Sequence, residues 1–274
     1  MRRPPITHII LSALMFVVMY SCTPTGHVDS LQQIKSEKKI RVGYISYSEI
    51  TSRDNQTGEI KGFLVDVLYE VLADLQIPRE NIEFVETDWQ NFGLGLETHK
   101  YDLSISGTFN TPVRARVVDF SKPIFYLGNG AVVRKDDNRF HSIQDFNRPG
   151  ITIAVVQGEQ GYEYAKRNLT QATVVSLSGS DLALAPLQVK VGKADAALSD
   201  QYILRKYVLS NPEVKDALAD NPYDVLPICW SVRKNSNDAS LLAYVNEQLG
   251  KLESSGKLAA IMQKYPMIPF ARKP

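Results

Sequence analysis

Apolar positions along the chain follow two rhythms, short runs with the period of a strand and longer stretches with the 3.6-residue period of a helix. Residues 40–44 (IRVGY) read as a strand, and Phe63, Val67, Leu68, Val71, Leu72 and Leu75 then recur at helical spacing. Residues 82–85 give a second strand, and Trp89, Phe92 and Leu96 mark a short helix. The run DLSIS (102–106) predicts a further strand, which stops at Gly107 ahead of a polar turn, TFNTP, and of Arg114 and Arg116. Residues 151–156 are apolar nearly throughout, the pattern of a strand buried on both faces. A helix over 160–168 and a strand over 173–177 come next. They lead to a helix capped by Ser180 and kinked by Pro186, since proline removes a backbone donor. A strand over 194–199, a helix over 201–208, an extended run over 225–233 and helices over 240–253 and 257–264 complete the chain. Such alternation predicts an α/β fold with a largely parallel sheet and helices on both faces.

Two extended segments, 126–134 and 225–233, bracket a block with its own strand–helix alternation. The chain is therefore expected to leave one lobe through the first segment and return through the second. That gives lobe 1 as 39–129 plus 228–274 and lobe 2 as 130–227, with hinge closure about 127–132 and 225–230. Ligands of α/β folds lie at the carboxyl ends of strands, where the 102–106 run breaks.

The N-terminal residues read as an address. Arg2 and Arg3 precede an apolar run over 9–20, interrupted by Ser12 and too short to span a bilayer, so residues 1–21 are expected to be a signal peptide. The run ends in MYSC, which resembles a lipobox and makes Cys22 the expected lipidation site, with 22–38 as a tether. A plain secretory signal is the other reading. Either way the protein is expected to be extracytoplasmic, and lipidation would hold it at the membrane. About 250 residues then remain, enough for two modest cores. The second cysteine, Cys229, lies in an apolar run and reads as a small buried hydrophobe. Four scattered histidines give no metal-ligand spacing, and no metal or cofactor is expected. With 31 Lys+Arg against 30 Asp+Glu and no basic tract, the chain does not read as a nucleic-acid binder.

The segments IRVGY, GEIKGFLVDVLYEVLADL, DWQNFGLGLETHKYDLSISG, NTPVRARVVDFSKPIFY, ITIAVVQGEQ, KVGKADAALSDQY and LGKLESSGKLAAIMQKY, in this order over 39–265, resemble the bacterial extracellular solute-binding proteins of family 3. The resemblance implies the two-lobed type II periplasmic-binding-protein fold. It also implies a monomer that closes on a small polar, amino-acid-like ligand and delivers it to an ABC transporter permease. Carried over residue by residue, it makes Arg114 the grip on the ligand's carboxylate, a role that suits a planar guanidinium. Ser106, Gly107 and Phe109 add contacts at the strand end, and Asp200 becomes the partner of the α-ammonium. Trp89, Tyr44 and Tyr47 supply aromatic faces, and Glu159 and Gln160 stand where a helix opens toward the ligand. Each has a plainer reading as well. Arg114 can cap its own loop, Asp200 can cap the helix at 201, Trp89 can pack on Phe92, and Gly107 can serve a tight turn. Asp66 and Asp195 read as structural.

Three departures set the pocket apart from the family pattern. Phe109 stands where Ser or Thr is usual, Glu159 and Gln160 replace small hydroxyl residues, and Ile50-Thr51 lies near the place of a Pro-Phe pair. A glutamate at that helix start suits the helix dipole but repels an incoming carboxylate. Three classes of function follow: a solute-binding lipoprotein delivering a small polar molecule to an importer, a cationic or unusual amino acid with Glu159 as an extra anion being one option; an enzyme like the periplasmic cyclohexadienyl dehydratases on the same scaffold; or a sensory or partner-binding module. Against the enzyme, Gln201, Tyr202 and Ile203 stand where that group is expected to have its catalytic glutamate.

Overall fold

The computed structural model describes residues 29–234 and 237–271. The expected signal peptide, Cys22 and the start of the tether lie outside the described residues. From Asp29 onward the tether reading is corrected. Ser30–Glu37 is a helix (α1), capped by Asp29, whose carboxylate accepts from the Gln32 amide; Ile34 is buried and the Ser30 amide donates to Asp238 at 2.8 Å. Among the described residues no helix is long and apolar enough to cross a membrane.

The chain continues through β1 (Ile40–Tyr44), β2 (Ser52–Arg53), β3 (Ile60–Lys61), α2 (Phe63–Leu72), β4 (Ile82–Glu86), α3 (Phe92–Glu97), β5 (Leu103–Phe109), β6 (Val118–Phe120) and β7 (Phe125–Arg134). The second lobe adds β8 (Thr152–Val156), α4 (Gln160–Asn168), β9 (Thr173–Leu177), α5 (Leu184–Lys190), β10 (Ala196–Asp200), α6 (Gln201–Ser210) and β11 (Val214–Asp216). Strand β12 (Asp224–Arg233) returns to the first lobe, which ends in α7 (Ser240–Ser254) and α8 (Lys257–Met262).

The two-lobed α/β reading holds, and the sheets of the two lobes are continuous. Ten strands form one sheet in the order β4-β1-β5-β12-β7-β10-β8-β9, with β6 on β12 and β11 on β7. In the first lobe β1 pairs in parallel with β4 and β5, and in the second β8 with β9 and β10, whereas the crossing strands β7 and β12 pair antiparallel with their neighbours. The crossing strands join the two halves because they pair with each other, antiparallel, from Phe125↔Ile228 to Asn129↔Asp224. One apolar cluster, including Ala131, Phe146, Ile153 and Leu198, lies under one face of the second lobe. The larger cluster runs from α2 and β1 through β12 to the α5 face of the second lobe.

The Ser180 cap and the Pro186 kink are both corrected. The α5 helix starts at Leu184 with Ala183 at its cap, so Pro186 falls in the first turn. The amides of that turn have no intrahelical partner, and a missing N–H there breaks no bond.

The loop that carries Tyr47 is fixed on the start of α2. Phe63 and Leu64 amides donate to the Glu49 and Ile50 carbonyls at 2.8 and 3.0 Å. This close approach depends on Gly62, at φ 131°, where a Cβ would stand 2.7 Å from both of those carbonyl oxygens. Replacing Gly62 with Ala is expected to destabilise the protein by about 1–3 kcal/mol, read as a lower urea midpoint with an unchanged m-value.

Candidate functional site

Side chains from both lobes meet where β5 and β10 end. From the first lobe, Tyr47, Trp89 and Arg114 are 3, 4 and 4% exposed; from the second, Glu159, Gln160 and Asp200 are 2, 1 and 1% exposed. Six polar or aromatic groups on loops and helix starts are thus withdrawn from water, and the cleft is closed.

Closure rests on bonds that cross it. The Arg114 Nε donates to Glu163 Oε1 of α4 at 2.7 Å, and its Nη2 to the Gly158 carbonyl at 2.8 Å; only the 3.3 Å bond to the Phe109 carbonyl stays within the first lobe. Thr111 adds a hydroxyl bond to Glu163 at 3.2 Å. Trp89 Nε1 donates to the Ser180 carbonyl at 2.9 Å. On the same rim the Tyr202 hydroxyl accepts from the Glu49 amide at 3.0 Å and pairs with Ser48, which also takes a bond from Lys206. Backbones touch as well: at Gly158 (φ 82°) a Cβ would lie 2.7 Å from the Trp89 carbonyl carbon.

The expected site residues fall into three groups. Arg114, Asp200, Glu159, Gln160, Tyr47 and Trp89 come together. Trp89 bridges the lobes through its bond to Ser180 rather than only packing on Phe92, and Tyr47 stands edge-on to Trp89 at 5.3 Å and to Tyr202 at 5.9 Å. Ser106, Gly107 and Phe109 line the end of β5 in structural roles. Ser106 pairs with Ser104 at 2.9 Å, Gly107 turns the strand at φ 65°, and Phe109 offers its carbonyl to Arg114. Tyr44 is a correction. It ends β1 on the other side, edge-on to Phe84 at 6.2 Å, in a hollow shared with Arg53 and Glu86. Asp66 and Asp195 hold structural contacts, to Tyr265 and to Arg139 and the Thr152 amide.

Asp200 caps α6, accepting from the Ile203 amide at 3.0 Å, and its carboxyl also lies beside the Tyr47 hydroxyl in the cleft. Glu159 likewise caps α4 through the Gly161 amide at 2.6 Å. Burial pushes the Asp200 carboxyl up to about 6 despite the Ile203 amide and Tyr47. Burial, then the neighbouring Asp200, pushes Glu159 to about 8, against the Gly161 amide and Arg114. Cys229 is buried and free, and burial raises its thiol to about 12, far from a reactive thiolate. Among the described residues no group of His, Cys, Asp and Glu is arranged to hold a metal.

The sequence reading missed Glu163, Thr111 and Tyr202. Glu163 was accessible, four residues after Glu159 on one helix face; the other two reveal themselves only through contacts across the cleft.

Because Glu159 and Asp200 hold protons that the unfolded chain releases, their contribution to stability is complete below about pH 4. It is lost as the pH climbs through about 6 and about 8. Thermal midpoints are expected to be higher at pH 5.5 than at pH 8.5, and Glu159→Gln to reduce that difference.

Comparison with known proteins places the chain. A model of the bacterial extracellular solute-binding proteins, family 3, matches residues 40–267. The chain is 26% identical, over 84% of its length and 85% of the other, to a probable amino-acid ABC transporter-binding protein of Haemophilus influenzae. It is 23% identical, over 94% of each, to the cyclohexadienyl dehydratase of Pseudomonas aeruginosa. The crystal structure of an ancestral amino acid-binding protein, a precursor of cyclohexadienyl dehydratase, superposes with a TM-score of 0.74 at 28% identity, covering 86% of this chain and 99% of that one. With a family match across both lobes and the fold to go with it, the chain belongs to the bacterial extracellular solute-binding proteins of family 3.

Proposed function

We propose that this protein captures a small amino-acid-like ligand between its lobes by hinge closure and delivers it to an ABC importer. The single observation that carries the reading is the convergence of Tyr47, Trp89 and Arg114 with Glu159 and Asp200 in one buried cleft. An ammonium group has its partner in Asp200. A guanidinium has five N–H donors, and Arg114 directs three of its bonds to Glu163, Gly158 and Phe109, which leaves two for a ligand carboxylate. Lobe boundaries at 129/130 and 227/228 put the hinge on the paired segments of β7 and β12. The protein works as an extracytoplasmic monomer tethered through lipidated Cys22, without enzymatic turnover. The similarity to a dehydratase makes the last point worth testing directly.

Thermal unfolding of the purified protein with amino acids, small carboxylates, prephenate and arogenate tests the proposal. A ligand at a hundred times its dissociation constant adds about 2.7 kcal/mol, on the order of 5–10 °C for a chain of this size. A shift with an amino acid is expected, and Arg114→Ala is expected to abolish it for any ligand held by its carboxylate. Turnover of prephenate or arogenate would replace transport with catalysis, and no shift with any compound would overturn ligand capture.

A further inference from the structure

Asp200, Asn129 and Asp224 lie side by side across β10, β7 and β12, because Asn129 is directly opposite both aspartates in antiparallel pairs. Residues directly opposed in such pairs project to the same face of the sheet. The start of α4 comes down on that face, bringing Glu159 and Gln160, and the Gln160 Nε2 reaches Asp224 Oδ2 at 3.4 Å. Tyr223, whose amide donates to the Asn129 carbonyl, places its hydroxyl in the field of Glu159, Asp224 and Asp200. Tyr47 closes the group from the first lobe.

The hydrogen-bond inventory of this group is one-sided. Asn129 is fully buried and spends its Nδ2 on the Asp224 carbonyl at 3.2 Å, which fixes the amide's orientation and leaves Oδ1 without a donor. Gln160, 1% exposed, spends its Nε2 on Asp224 and likewise leaves Oε1 without one. The Tyr223 ring is half-buried, but its hydroxyl is buried and unpaired. With the carboxyls these make a buried group in which acceptors outnumber donors, the Tyr223 phenol and the Glu159 proton being its own donors, and an acceptor left without a donor away from water costs about 1–3 kcal/mol. The nearby positive charges are Arg114, committed to Glu163 and two carbonyls, and Arg167, which acts on Asp224. The positive end of α4 is already answered by the Glu159 cap. No metal-binding arrangement of acidic residues, His or Cys occurs among the described residues.

We propose that this group is a cation subsite for an ammonium-bearing ligand, with Glu159, Asn129, Gln160 and Tyr223 receiving its N–H donors. The subsite rests on the reading of the cleft as a solute site and narrows it to ligands of net positive charge, either basic amino acids or diamines. Glu159 gives up its proton as the cation arrives, so binding strengthens with rising pH. The neighbouring groups that share this field are Asp200, Asp224 and Glu163, the phenols Tyr47, Tyr164, Tyr202 and Tyr223, and Arg114 and Arg167.

Titration calorimetry of the purified protein with lysine, 1,5-diaminopentane, glutamine and glutamate at pH 6, 7 and 8 tests the subsite. Lysine or the diamine is expected to bind at least tenfold more tightly than glutamine, with an affinity that rises with pH and protons released on binding. Binding of the diamine shows that the cation suffices, and binding of lysine alone shows that the carboxylate contact is needed too; each supports the subsite. Glu159→Gln is expected to lower the lysine-to-glutamine preference at least tenfold and to flatten the pH dependence, and Tyr223→Phe to lower the preference by a smaller factor. Glutamine or glutamate binding as tightly as lysine, or an unchanged preference in Glu159→Gln, overturns the subsite and leaves ligand capture standing. If none of the four binds, the amino-acid reading of the cleft falls with it.

Discussion

The antiparallel pairing of β7 with β12 is the constraint on which the molecule is built. Through it the sheets of the two lobes become one, and the proposed hinge lies on that same pairing. A ladder of main-chain hydrogen bonds resists shear along the strands but tolerates twist, which suits a hinge. The same five opposed pairs end at Asn129 and Asp224, so the cleft's floor and its hinge are one piece of backbone. Any rotation of the lobes therefore passes close to the acceptor groups at the floor.

Around this axis the cleft is arranged by helix starts. Glu159 and Asp200 each accept a bond from a helix amide, which orients their carboxyls, and each is also buried against the other lobe. Capping and the proposed ligand recognition thus draw on the same atoms. A cap bond favours the ionised carboxylate, burial the neutral acid, and for both residues burial prevails.

Much of the fold was legible because the periodic signals are strong: β5 is buried at every position, and α4 runs from Gln160 to Asn168 as its apolar and polar spacing indicates. Helix α1 was missed because Ile34 is its one buried residue and its stability comes from α7. Pro186 misled because its effect depends on its position in the helix, and that position is set by packing. At the site, residue types were readable but directions were not. Tyr44 and Tyr47 lie three residues apart on one loop approach, and only the end of β1 decides that the first faces Phe84 and the second Asp200. Glu163 was visible as a neighbour of Glu159; that it would take the Nε of Arg114 depends on the distance between lobes.

The Arg114–Glu163 pair has a consequence for how the cleft fills. Both side chains are largely shielded, at 5 and 15% exposure, and their contact joins the lobes. A cleft held by such a contact has to part it to admit a solute, so the contact weighs on the balance between shut and open forms. If one molecule in ten is open, the apparent dissociation constant is about tenfold weaker than that of the open form. The Arg114–Glu163 contact therefore acts as a resting bias: strengthening it makes the protein discriminate against weak solutes, and loosening it makes capture easier and less exclusive.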